Sequence, residues 1–184
     1  MIHTLPELAA SLGRNKRLLG LDVGTSTVGM AIADPGLVVA SPIGTMRRTK
    51  FTQDAKELGK TIRDYDVGGL VIGLPLNMDG SEGPRAESTR AFAKNLLERA
   101  DLLGWEAQIA FWDERLSTSA VERFMIGEAD MTRKRRDEVV DKMAAAYILQ
   151  GALDALAHQR RVAAEQAERD AFDDDVGDGA GDGA

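Results

Sequence analysis

The 184-residue chain has no cysteine, two histidines, and few aromatics: two Trp, two Tyr and five Phe. Without cysteine there is no disulfide, no thiolate zinc site and no cysteine nucleophile. His3 and His158 lie near the ends and outside any motif, which argues against a Ser-His-Asp triad or a His-rich metal site. No apolar run approaches the roughly 18 residues of a membrane span. The segment Met1 to Gly13 carries Glu7 and lacks the basic-then-apolar plan of a signal peptide. These absences predict a cytoplasmic chain with no membrane partner. Its chemistry must rest on carboxylates, hydroxyls, Lys, Arg or a bound metal.

The charge is unevenly placed. The net charge of −7 speaks against a nucleic-acid partner, but residues 163–184 hold eight acids and one base and account for all of it. Residues 1–162 hold 22 acids and 22 bases, so the body is neutral. Within it stand Arg133, Lys134, Arg135 and Arg136, a local cluster that can bind phosphates whatever the net charge. The same four residues also fit a plain solvated loop. The tail ends GDGAGDGA and is poor in apolar residues, which predicts disorder over 162–184. Residues 1–16 read as a short N-terminal extension, leaving 17–161 as the one folded domain.

Along that domain the pattern alternates. Residues 17–23 (RLLGLDV) read as a buried strand, and 27–34 and 37–45 flank the turn dipeptide Pro35-Gly36, which predicts an antiparallel meander. Phe51, Ala55, Leu58 and Ile62 have helical spacing over 51–65. Residues 67–74 (VGGLVIGL) read as a strand covered on both faces. A polar loop follows to Gly83, then a helix from Pro84 to Leu103. Residues 105–112 predict another strand, and Ser119 with Glu122 a capping box opening a helix to Ile126. Residues 127–136 read as a mobile loop before a long helix from about Asp137 to Arg161. The order is βββαβαβα: an α/β fold with a mixed five-stranded sheet flanked by helices.

Three acids stand out by their surroundings. Asp22 closes an apolar strand just before Gly24-Thr25-Ser26. Glu114, preceded by Asp113, closes the strand 105–112. Asp141 shares a helical face with Ala145, Ile148 and Ala152. A carboxylate on that apolar stripe is costly unless paired, protonated or bound to a cation. Each acid alone also has an ordinary role: turn residue, solvated strand end, or partner of Lys142 or Arg136. Together they describe an oxygen-only site suited to Mg²⁺ or Mn²⁺. Two such ions can activate a water and stabilise the leaving oxygen in phosphodiester hydrolysis. Around them, Thr25 and Ser26 sit in a turn able to hold a phosphate. Asn77 lies in the loop after the strand 67–74, where it can bond a phosphate or base, or close its own Asx turn. Arg115 can contact phosphate or neutralise Glu114. Ser117 and Thr118 read as helix caps, and Trp105 and Trp112 as core.

Four blocks carry a resemblance: LDVGTSTVGMAIAD at 21–34, VIGLPLNMDGSEG at 71–83, WDERLST at 112–118 and VVDKMAAAYILQ at 139–150. They closely resemble the YqgF family, also called RuvX, which comprises bacterial RuvC-like nucleases of the ribonuclease H superfamily. The resemblance spans about residues 17–157. It implies a ribonuclease H-like fold, with the family's acids falling on Asp22, Glu114 and Asp141. It also implies processing of the 5′ end of pre-16S ribosomal RNA in ribosome biogenesis, on the RNA alone or on pre-ribosomal particles.

Three other readings stay open. One is a DNA nuclease acting on Holliday junctions or other structured DNA. Another is a non-catalytic RNA-binding or transcription factor, against which the acidic trio speaks. The third is an ATP-dependent phosphotransferase, since Asp22 to Ser26 look like the phosphate loop of the actin and sugar-kinase superfamily. Those enzymes place two such domains around the nucleotide, and 184 residues supply one.

Overall fold

The computed structural model describes residues 1–116 and 133–177, with the backbone alone at 116, 133–142 and 172–177. Strands β1 (Ile2–His3), β2 (Arg17–Val23), β3 (Thr27–Ala33), β4 (Ala40–Arg47), β5 (Val67–Leu74) and β6 (Ile109–Asp113) form one mixed sheet. Its order is β1-β6-β5-β2-β3-β4. Strands β2, β3 and β4 are the antiparallel meander, while β5 and β6 run parallel to β2. Helices α1 (Leu5–Ser11), α2 (Phe51–Asp64), α3 (Pro84–Glu98), α4 (Ala100–Leu103) and α5 (Arg133–Gly177) cover it. This is the ribonuclease H-like order predicted from the sequence, with one strand more. Among the described residues no helix is long and apolar enough to cross a membrane.

The sixth strand comes from the N-terminal extension. The terminal amine of Met1 donates to the Ala107 carbonyl, and Ile109 N donates to Met1 O at 2.9 Å. Leu5 and Leu8 then bury against the sheet, so residues 1–16 complete an edge and part of the core. Gly69 makes room for them: a Cβ there would lie 2.8 Å from Leu8 Cδ1.

The sheet separates two cores because its buried strands carry apolar residues at successive positions. Leu19, Leu21, Leu70, Ile72 and Ile109 face α2 and α3. Leu18, Val71 and Ala110 face α5, meeting Ala145, Ile148, Leu149 and Ala152. On that second face α5 lies directly on the strands. A Cβ at Gly20 would stand 2.7 Å from Leu149 Cβ and 3.1 Å from Ala145 O.

Several boundaries differ from expectation, each for a physical reason. β4 starts at Ala40, not 37, because the Asp34 carboxylate accepts hydrogen bonds from the amides of Gly36, Val38 and Val39 and curls them into the turn. β6 starts at Ile109, not 105, where β5 pairing begins. Residues 133–136, expected in a loop, are helical and belong to α5. The composition over 162–184 predicts disorder, yet the helix continues to Gly177. Low apolarity denies that stretch a core, but Ala, Glu, Gln and Arg are strong helix formers. A helix already nucleated against the sheet extends through them without a second nucleation cost. Gln166 Nε2 donating to Asp170 Oδ1 at 2.7 Å is one side-chain bond along it. The expected capping box at Ser119 and Glu122 lies outside the described residues.

Gly20→Val is expected to destabilise by about 3 kcal/mol, because α5 must lift off the sheet. That corresponds to a fall in melting temperature of roughly 6–12 °C. Calorimetry on the two proteins checks it.

Candidate active site

Side chains alternate across a strand, so the position after Leu18 and Gly20 on the α5 face of β2 is Asp22. Its neighbour strand β5 pairs Leu21 with Ile72 and places Gly73 one residue further on. Gly73 has no side chain, and that space is used from two directions. A Cβ there would lie 2.5 Å from Ile148 Cδ1 of α5 and 2.6 Å from Glu114 Oε1. The Glu114 carboxylate therefore folds back over β5 from the 3-10 turn Glu114–Leu116 that follows β6. Asp22 and Glu114 meet at the carboxyl ends of the parallel strands, under α5.

The electrostatics follow from this burial. The Glu114 carboxyl is pushed up to about 7, by desolvation first and by the Asp22 charge second. The Arg85 guanidinium pulls the other way, and Asp113 adds a smaller upward push. Asp141 lies in α5 four residues before Ala145, one helical turn along the face that carries Ala145 and Ile148. Its side chain is outside the described residues. Among those that are described, no group of three or more His, Cys, Asp or Glu converges. The pair Asp22 and Glu114 is what the structure brings together.

The donors at hand fit a hard divalent cation: carboxylate oxygens alone, with one carboxyl partly desolvated beside another. Neither histidine is near. His3 Nε2 bonds Gln108 Oε1 at 2.7 Å, and His158 Nδ1 bonds Arg161 at 3.0 Å.

Two of the remaining expected residues, Arg115 and Asn77, have structural partners. Arg115 turns to Asp113, not Glu114: Nε lies 3.0 Å from Oδ1 and Nη2 2.6 Å from Oδ2. Its Nη1 donates to Met78 O at 3.3 Å, clamping the loop 75–83 to the end of β6. The hydrogen bonds from the Arg115 guanidinium hold the Asp113 carboxyl below its ordinary range. Asn77 bonds within its own loop, though not through the expected Asx turn, which Asp79 makes instead by accepting from Ser81 N at 2.9 Å. Asn77 Nδ2 donates to Ser81 Oγ at 2.8 Å, and the Asn77 carbonyl accepts from Gly80 N. Thr25 and Ser26 are exposed, but the Gly24 amide is used within the turn, donating to Thr27 O at 2.9 Å. Trp105 and Trp112 pack on the cores, as expected. Residues 133–136 have their side chains outside the described residues, and Ser117 and Thr118 lie wholly outside them.

Three residues escaped sequence reasoning. Gly73 is hidden inside an apolar run, where a glycine between Ile72 and Leu74 was the available signal. Arg85 follows Pro84 at the helix start, a position that faces the same strand ends. Arg48 reaches the β2–β3 turn, with Nη1 donating to Gly24 O at 2.6 Å. Nothing local in the sequence announces that contact.

Fold and site together define a ribonuclease H-like α/β domain with acids at its strand ends. The family model described as "RuvX: Holliday junction resolvase" matches residues 16–155, and the chain belongs to that family. A Rhodospirillum centenum protein named "Putative pre-16S rRNA nuclease" is 70% identical over 155 residues, covering 84% of this chain and 82% of its own length. A relative of the same name from Paramagnetospirillum magneticum is 60% identical, over 80% of this chain and 92% of its own. Among solved structures, T. thermophilus RuvC in complex with Holliday junction substrate matches with a TM-score of 0.47 and 12% identity, over 77% of this chain and 96% of that one.

A carboxyl whose pKa is higher folded than unfolded holds its proton more tightly in the fold. Its contribution is present below its ordinary 4.5 and is lost as pH rises through about 7. The metal-free protein should therefore lose stability over that window. Glu114→Gln should flatten the decline and be the more stable of the two at about pH 8. Melting temperatures across a pH series, with chelator present, test this.

Proposed function

We propose that this protein is a divalent-metal-dependent nuclease that hydrolyses phosphodiester bonds in RNA, and that pre-16S ribosomal RNA in the cytoplasm is its substrate. The observation that carries this reading is the Glu114 carboxyl, desolvated over Gly73 beside Asp22 at the strand ends. Two like charges are not brought together in a half-buried place without a compensating cation or proton. The names of the relatives supply the RNA.

Asp22, Glu114 and Asp141 would hold the metal. A pair of Mg²⁺ or Mn²⁺ ions bound there supplies positive charge at the phosphate and a more acidic water. To ligate, Glu114 must give up the proton it retains near neutral pH. Partial burial of Asp22 and Glu114 lowers the local dielectric and so strengthens their hold on a cation. Arg85 partly offsets the acidic charge and lowers the barrier to an approaching polyanion. The Asp113–Arg115 clamp keeps the loop 75–83 and the Glu114 turn in one register, so the loop borders the site as a fixed wall. Thr25, Ser26, Asn77 and Arg115 are proposed as its contacts to nucleic acid, with Arg133, Lys134, Arg135 and Arg136 guiding the strand in from the start of α5.

Asp22→Asn, Glu114→Gln and Asp141→Asn should each stay folded and lose cleavage by more than about 100-fold, above the loss caused by removing an outer-shell partner of a metal. Combining them should add little, because the acids act as a unit. The assay uses pre-16S RNA, unrelated single-stranded RNA and a four-way DNA junction, with Mg²⁺ or Mn²⁺ and with chelator. Cleavage of the junction in preference to RNA would replace the RNA reading by the DNA one. Cleavage that survives chelator would remove the metal.

The four basic residues 133–136 offer a separate test. Neutralising them to Ala should weaken RNA binding and reduce the slope of log affinity against log salt, because fewer counterions are released. Superimposable salt series for the two proteins would mean that the cluster only solvates the helix start.

A further inference from the structure

The β2–β3 turn has two sides. One borders the carboxylates. The other closes a cleft of about 460 Å³ between α2, α3 and the strand ends. That volume is in the range that encloses a small organic ligand. Thr25 lines the cleft and is three residues from Asp22, so at most about 10 Å of chain separates them.

Its cationic lining residue is Arg48, and the fold holds that side chain firmly. The guanidinium carbon lies 5.4 Å from the centre of the Phe92 ring, and Nη1 donates to Gly24 O at 2.6 Å. The Arg48 amide donates to Ser26 O at 2.8 Å. The Gly24 oxygen takes one of the five donors that a guanidinium carries. A half-buried arginine fixed in this way is preorganised for an oxyanion, because little side-chain freedom is left to lose. The hydroxyls of Thr25, Thr49 and Ser88 and the amide of Asn95 add neutral polar groups around it. Asp54 is the acid of the lining. It is 5% exposed, and its Oδ1 accepts from Thr49 N and Thr49 Oγ1, each at 3.0 Å, so it braces the wall from below. One fixed cation among hydroxyls and an amide suits a phosphate with its attached sugar.

We propose that this cleft is a binding subsite for one nucleotide of the substrate strand next to the scissile bond, with its phosphate on Arg48. The proposal rests on the nuclease reading for the word substrate, but its test does not. Affinity is measured by fluorescence anisotropy with a labelled single-stranded oligoribonucleotide and with chelator present, so that no cleavage is involved. Two variants of the full chain are compared with wild type. Arg48→Gln removes the cation. The double variant Ser88→Leu with Asn95→Leu replaces exposed polar groups of α3 by a good helix former and leaves the Arg48 contacts intact.

Each should weaken binding roughly tenfold, the weight of one charge-assisted hydrogen bond. Should Arg48→Gln unfold through loss of its bond to the turn, the double variant decides alone. Wild-type affinity in the folded double variant overturns the subsite. Weakened binding in the variants, together with no cleavage by wild type in any metal, leaves the subsite standing and removes the nuclease reading.

Discussion

Helix α5 has to lie directly on the sheet, and most of the molecule is arranged so that it can. Two strands present glycine where the helix crosses, Gly20 on β2 and Gly73 on β5, and the helix answers with Ala145, Ile148, Leu149 and Ala152. At Gly20 a single Cβ is too much, because it meets Leu149 Cβ and the Ala145 carbonyl; at Gly73 it would displace the ends of the Ile148 and Glu114 side chains. The missing side chain at Gly73 also leaves the space over β5 that the half-buried Glu114 carboxyl occupies. Packing at Gly20 and the placement of Glu114 at Gly73 thus both depend on a glycine in a buried strand.

Adjacent residues illustrate how strongly position decides chemistry here. Asp113 and Glu114 are neighbours, yet their carboxyls are shifted in opposite directions. Asp113 stays at the surface and accepts both prongs of the Arg115 guanidinium, which holds it ionised. Glu114 turns inward over Gly73, away from that arginine, and burial favours its neutral form. The first acid is a structural anchor, tying the loop 75–83 to β6. The second is the group that a cation can reward.

The periphery obeys simpler rules. Residues 1–16 add a short parallel strand and bury Leu5 and Leu8, capping an edge of the sheet that would otherwise end at β6. At the other end α5 outruns the body: residues 157–171 are exposed, and the helix there rests on propensity rather than packing. Glu165, Glu168 and Asp170 lie on this exposed stretch of the helix.

The sequence by itself determined the order of elements, the neutral body beneath an acidic tail, and the positions of Asp22 and Glu114 at strand ends. These are local properties: alternation, helical spacing and turn residues are written within a few neighbours of each position. RLLGLDV and VGGLVIGL therefore read directly as β2 and β5. Tertiary structure alone decided which partner each polar group takes. By sequence Arg115 reads as a contact to phosphate or to Glu114, and only the turn after β6 gives it Asp113. Arg48 meets Gly24 across 24 residues, and Gly73 receives Glu114 from another strand. Such contacts depend on strand register and on the distance between helix and sheet, both global quantities that no short window of sequence contains.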